Sequence, residues 1–214
     1  MAAPRLGAQI FSAPYDQVMR DLQAGRPDTP VAAEAVSEAL KARRTALAWH
    51  DDPRAATELG GFQLALSSGY GYESETGRFL LDASIDSHVR GLAGDPAQPY
   101  AWARLARARF AREGMSPDLN GLLRMAVRTA PREPQLVLDR LDLAFSVWQA
   151  LDNTTRAMMH EQIVVAARYY EKRLAQVAKR HHALPILADA LRDEEALFVR
   201  VGFHYRRAPA RGAS

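Results

Sequence analysis

The sequence predicts an all-α protein, and three observations lead to that class. Helix formers dominate, above all Ala, Leu and Arg, while β-branched runs are nearly absent, Val164-Val165 being one of the few such pairs. Every strong apolar period lies near 3.6 residues and none near 2. Pro, Gly and Asp recur at intervals that cut the chain into helix-length segments of roughly 8 to 25 residues.

The segments follow in order. Tyr15 to Gln23 reads as a short first helix, broken by Gly25-Arg26-Pro27-Asp28. Thr29-Pro30 restarts the chain with an N-cap and a proline at the first helical position, and this second helix runs to about Trp49. His50-Asp51-Asp52-Pro53 caps a third that ends near Gly69-Tyr70-Gly71, and Ser74 caps a fourth closed by Gly94-Asp95-Pro96. The fifth carries Trp102, Leu105, Ala106 and Phe110 on one face and stops at Gly114. Ser116-Pro117 opens the sixth, where Leu119, Leu122, Leu123, Ala126, Val127 and Ala130 form a full amphipathic stripe. Pro131 and Pro134 end it and begin a seventh, with Leu141, Ala144, Phe145, Trp148 and Leu151 on its apolar face. Asp152-Asn153 caps a long eighth helix bearing Met159, Ile163, Ala166, Tyr170 and Val177, with a break expected near Tyr169-Tyr170. Pro185 and Asp193 mark two last short helices. The organisation expected is a leader or post-anchor segment over 1–14, a single helical repeat domain over 15–205 and a flexible tail over 206–214.

A chain of 214 residues with 48% apolar and 25% charged side chains has an ordinary globular composition, which excludes disorder of the whole. Cysteine is absent, so disulfides, thiolate metal sites and cysteine nucleophiles are excluded. No run of apolar residues is long enough to span a membrane. The start, Met-Ala-Ala-Pro-Arg-Leu-Gly, lacks the apolar centre of a signal peptide. Two localisations remain: cytoplasmic, or the periplasmic face of an inner membrane if an anchor preceding this point has been trimmed. Net charge is +3 but unevenly spread. Residues 99–132 hold seven arginines against Glu113 and Asp118, whereas residues 1–98 are net acidic.

The string Pro99-Tyr100-Ala101-Trp102-Ala103-Arg104-Leu105-Ala106, with Pro131-Arg132-Glu133-Pro134 downstream, resembles the tetratricopeptide repeat. Trp102, Leu105 and Ala106 match that family's first helix. Leu123, Ala126 and Pro131 match its second, with one residue inserted around Gly114-Met115. Arg140-Leu141 repeats Arg104-Leu105 at an offset of 36 residues, with Leu138 in place of the Trp. The resemblance is clear over residues 96–132 and degenerate elsewhere; the first helix of the upstream unit, Asp52 to Ser68, departs from the pattern. It implies an α-solenoid of helical hairpins, about 8–10 helices, that holds another protein. The compact helical bundle is the alternative architecture. More weakly, "AGRP", "ALAWHDDPRAATELG", "RTAPREPQL" and "RLDLAFSVWQALD" resemble small membrane-anchored helical proteins of bacterial envelope polysaccharide or periplasmic oxidation clusters.

No constellation of residues reads as catalytic. The histidines are His50, His88, His160, His181, His182 and His204. His160-Glu161 begins a zinc-helix motif, but Val164 stands where the second ligand belongs. His181-His182 reads as an exposed loop before Pro185. Asp52 before Pro53 is a helix cap, and Glu194-Glu195 suits a helix's first turn. Phosphate loops and nucleophile elbows are absent. The expectation is a non-enzyme with no cofactor and no metal.

The arginines remain. Arg104, Arg107, Arg124 and Arg128 are the candidate binding residues: they face away from the apolar stripes, and guanidinium groups pair with carboxylate and other anionic oxygens. The plain alternative is a solvated face in a chain that favours arginine, since lysine occurs only at 41, 172 and 179. The function expected is a non-catalytic protein–protein scaffold or adaptor, its partner bearing an acidic segment. The alternative is an anion-binding accessory protein that contacts a polyanionic glycan. Nucleic acid is disfavoured, because the basic stretch lacks interleaved exposed aromatics.

Overall fold

The computed structural model describes residues 51–209 together with residues 38, 40–45 and 47, which are helical. The expected leader and first helix lie outside the described residues, as does most of the second. The elements are α1 (Pro53–Tyr70), α2 (Glu75–Gly94), α3 (Pro99–Glu113), α4 (Pro117–Thr129) and α5 (Pro134–Ser146). A 3-10 turn (Trp148–Ala150) precedes α6 (Asn153–Tyr169), α7 (Glu171–Arg180), α8 (Leu184–Ala190) and α9 (Glu195–Arg207). No strand occurs among the described residues, so the all-α expectation holds. The chain divides within α4 into two compact units, Met1–Leu119 and Asn120–Ser214.

In the first unit, α1 and α2 form a tight hairpin whose ends are set by local chemistry. Asp52 accepts a hydrogen bond from the Arg54 N–H at 2.9 Å, and Ser74 Oγ accepts from the Gly77 N–H at 2.9 Å. Gly71 between them has φ +82, a conformation that a Cβ would strain. Along the hairpin the backbones approach closely. A Cβ at Gly91 would lie 2.3 Å from Thr57 Cγ2. Two hydroxyls inside the seam bond across it, Ser84 Oγ donating to the Gly60 carbonyl at 2.8 Å and Ser87 Oγ to Gln63 Oε1 at 2.8 Å. α3 packs on both helices, and Leu64, Leu81 and Ala108 form a buried cluster covered by Tyr72, Ile85 and Ala111.

In the second unit, α6 starts at Asp152, whose carboxylate accepts from the Thr155 N–H at 2.7 Å. Leu141, Met159, Ile163, Leu174 and Leu187 are completely buried and join α5, α6, α7 and α8 in one core. α6 ends at Tyr169 and α7 begins two residues later, the break expected from Tyr169-Tyr170. Two expectations need correction. The seventh segment was expected to carry its stripe to Leu151, but α5 stops at Ser146. The Arg156 guanidinium donates to the carbonyls of Trp148 at 3.2 Å and Gln149 at 2.8 Å, in the 3-10 turn that follows. The tail was expected from residue 206, but α9 continues to Arg207. Cations at its last turn suit the helix dipole. Residues 210–214 lie outside the described part.

Trp102 and Trp148 are both half-buried. Trp102 Nε1 donates to the Pro96 carbonyl at 2.8 Å, and the Trp148 ring stacks on His160 at 5.4 Å between centroids. Each replaced by Ala should therefore destabilise the protein by about 1–3 kcal/mol, below the range for a fully buried indole. A urea midpoint that does not move in either variant contradicts this.

Candidate functional site

Of the four candidate arginines, two belong to the first unit and two to the second. Arg104 and Arg107 project from α3 in the first unit and are half-buried. The Arg104 guanidinium carbon lies 5.7 Å from the Tyr100 ring centroid, a cation–π distance. Arg124 and Arg128 project from α4 in the second. Arg124 is engaged within the chain: Nη1 donates to Asp152 Oδ2 at 2.6 Å and to Thr155 Oγ1 at 3.0 Å. Asn120 Oδ1 completes the junction by accepting from the Asp152 N–H at 3.1 Å. The Thr155 N–H and then Arg124 hold the Asp152 carboxyl below its usual range. Arg124 thus ties α4 to the start of α6 within the chain. Arg128 is exposed on the last turn of α4.

Charge reversal separates the two. Arg124→Glu sets a carboxylate against Asp152 and should lower the melting temperature, whereas Arg128→Glu should leave it nearly unchanged. Equal effects of the two changes would overturn this assignment.

The surface that sequence reasoning did not single out is on α8 and α9. α9 has two apolar sides. Leu197 and Val201 are buried on the side that packs against α7. That docking is fixed by Glu171, whose carboxylate pairs with Arg200 Nε at 3.0 Å and His204 Nε2 at 3.3 Å. The Arg200 hydrogen bond is the main reason why the Glu171 carboxyl sits below its usual range. On the other side, Val199 and Phe203 are 59% and 42% exposed. Leu184, Phe198, Val199, Gly202, Tyr205 and Arg206 line an almost wholly apolar cavity of about 190 Å³ between α8 and α9. The Arg207 guanidinium lies 3.8 Å over the Phe203 ring. A contiguous exposed apolar patch rimmed by cations has the make-up of a macromolecular contact. The sequence holds only part of the signal: Val199 and Phe203 are four apart, but which apolar side of the helix stays exposed depends on the packing of Leu197 and Val201.

His160 and His181 are held by contacts within the second unit. His181, expected as an exposed loop residue, is half-buried and bonded to Asp142 at 2.9 Å beside Arg180. His160 Nε2 lies 3.6 Å from Asp189. Among the described residues, no three His, Asp or Glu side chains are gathered so as to hold a metal ion, and no helix is long and apolar enough to cross a membrane. Compared with known proteins, the chain matches no family model and no curated protein.

Proposed function

We propose that this chain is a non-catalytic scaffold or adaptor that holds another protein. The observation that carries the reading is the exposed apolar face of α9, with its adjoining cavity and arginine rim. The tetratricopeptide-like reading is supported by the burial, each within its own unit, of the motif positions Leu105 and Ala106 and of Leu123 and Ala126. The layout that resembles envelope-cluster proteins makes an envelope assembly the natural setting for the partner. The polyanion reading has less support, because Arg124 already answers Asp152.

A photo-reactive side chain tests the proposal. Installed at Phe203, it should yield protein adducts in cells, whereas at the exposed Arg54 on α1 it should yield few. Capture through an apolar face should change little as salt rises, while capture of a polyanion by arginine should fall steeply. Position 203 giving no more adducts than position 54 would overturn the reading.

A further inference from the structure

We infer that the occupant of the α9 face is a second copy of this chain, paired antiparallel about a two-fold axis. The inference rests on the reading of that face as a protein-binding surface. Along α9 the exposed residues Glu195, Val199, Phe203 and Arg207 follow one another at steps of four. They form a single i±4 ridge, the kind that packs ridge into groove against another helix. The ridge is acidic at its start, apolar at its two middle positions and basic at its end.

That order is self-complementary only when reversed. In an antiparallel pair Glu195 faces Arg206 and Arg207 of the second copy, and Val199 faces its Phe203. The two-fold axis makes each contact occur twice, as an isologous interface requires. A parallel pair would set Glu195 on Glu195 and Arg207 on Arg207. Gly202 lowers the groove wall beside the ridge, so the opposing ridge can seat towards Leu184 and Tyr205, the floor of the cavity.

The state of the charges agrees. Glu194 and Arg200, which flank the ridge, are taken by Arg168 and Glu171 of the same chain. Glu195 and Arg206 are exposed and have no ion pair within the chain among the described residues. Arg207 rests over the Phe203 ring of its own chain, and charges of opposite sign at the two ends of this partly exposed apolar ridge are the complement that a reversed second copy supplies.

Sedimentation equilibrium on the full chain at micromolar concentrations tests this, with circular dichroism to confirm that each variant stays helical. The native sequence should show a monomer–dimer equilibrium. Val199→Asp should leave a monomer of unchanged helicity. Glu195→Arg should weaken the dimer about tenfold or more by placing like charges together. Adding Arg206→Glu and Arg207→Glu to that chain should restore it. A monomer at every concentration overturns the inference, as does a dimer indifferent to Val199→Asp or a charge reversal that the compensating changes fail to rescue. The cross-linker at position 203 separates this from the broader reading. An adduct of twice the chain mass supports the pair, and adducts to a different protein alone overturn the pair while leaving the scaffold reading standing. No adduct at all overturns both.

Discussion

Replacing Arg140 with alanine is expected to destabilise the protein by about 3–5 kcal/mol, from carbonyls that lose their donors and from the cavity its stem leaves. Arg140 is 1% exposed, which makes it one of the most deeply buried large side chains in the molecule. Its guanidinium donates to the carbonyls of Ala126 and Ala130, both bonds to Ala130 being 3.0 Å long. The Ala126 carbonyl belongs to the last turn of α4, and the Ala130 carbonyl lies just past its end, where the residue four further on, Pro134, has no N–H to offer it. Without the side chain, the part-buried Ala130 carbonyl loses both guanidinium N–H groups and the Ala126 carbonyl is left with the long contact from Thr129 Oγ1 at 3.4 Å, at about 1–3 kcal/mol each, and a cavity opens where the stem packed. Burial pulls the guanidinium down to about 10, against the opposing pull of Asp139 and Glu133, so it stays charged at neutral pH. A positive charge at a helix C-terminus also meets the negative end of the dipole. Arg140→Lys keeps the charge without the planar fork and should recover part of the loss, and Arg140→Met should recover less. If urea denaturation places Arg140→Ala within about 1 kcal/mol of the native chain, the carbonyls are being satisfied by water and the capping role is wrong.

The residues that were legible from the sequence are those whose work is local. Asp52, Ser74 and Asp152 each sit two or three residues from the N–H they cap, and Gly71 and Gly114 end helices with positive φ, so neighbouring residues suffice to place them. The break at Tyr169-Tyr170 is legible for the same reason. Residues that act across sequence distance were not. Arg140 drew notice only as a repeat of Arg104, but it is buried and reaches 14 residues back to Ala126. Arg124 looked like part of a free basic stretch, because its partner Asp152 lies 28 residues away and read as a cap alone. The α9 face was hidden by its own chemistry. A helix with apolar residues on two sides has a blurred period, and the exposed side shows only once Leu197 and Val201 are known to face α7. A binding surface of this kind is defined by what the remaining fold leaves uncovered, and the sequence states that only through tertiary contacts.

Lowering the pH from 7 to 4 is expected to remove about 3 kcal/mol of stability through His88 alone. The ring is completely buried in the seam between α1 and α2, directly over Gly60, where a Cβ would come within 2.6 Å of Nδ1. Nδ1 lies 2.8 Å from the Ser84 carbonyl and 3.3 Å from Ser84 Oγ, and it serves as the donor to the carbonyl. Nε2 has no partner among the described residues. A second proton would therefore put an unpaired N–H⁺ into an apolar seam, with the Arg104 charge adding repulsion. Burial first, and Arg104 second, depress the ring to about 3 from the ordinary 6.5. The sign follows from that depression. Above 6.5 both folded and unfolded rings are neutral, and the full stability is present. As pH falls below 6.5 the unfolded ring takes a proton that the folded one refuses, so stability drops steadily until the folded ring titrates near 3. Other groups also contribute to acid denaturation, so the comparison needs a chain without this proton. Gln at position 88 can still donate to the Ser84 carbonyl but does not titrate. His88→Gln should be less stable than the native chain at pH 7, and the gap should narrow by about 3 kcal/mol at pH 4. Two unfolding free energies that fall in parallel between those pH values would show that His88 takes up its proton inside the folded seam.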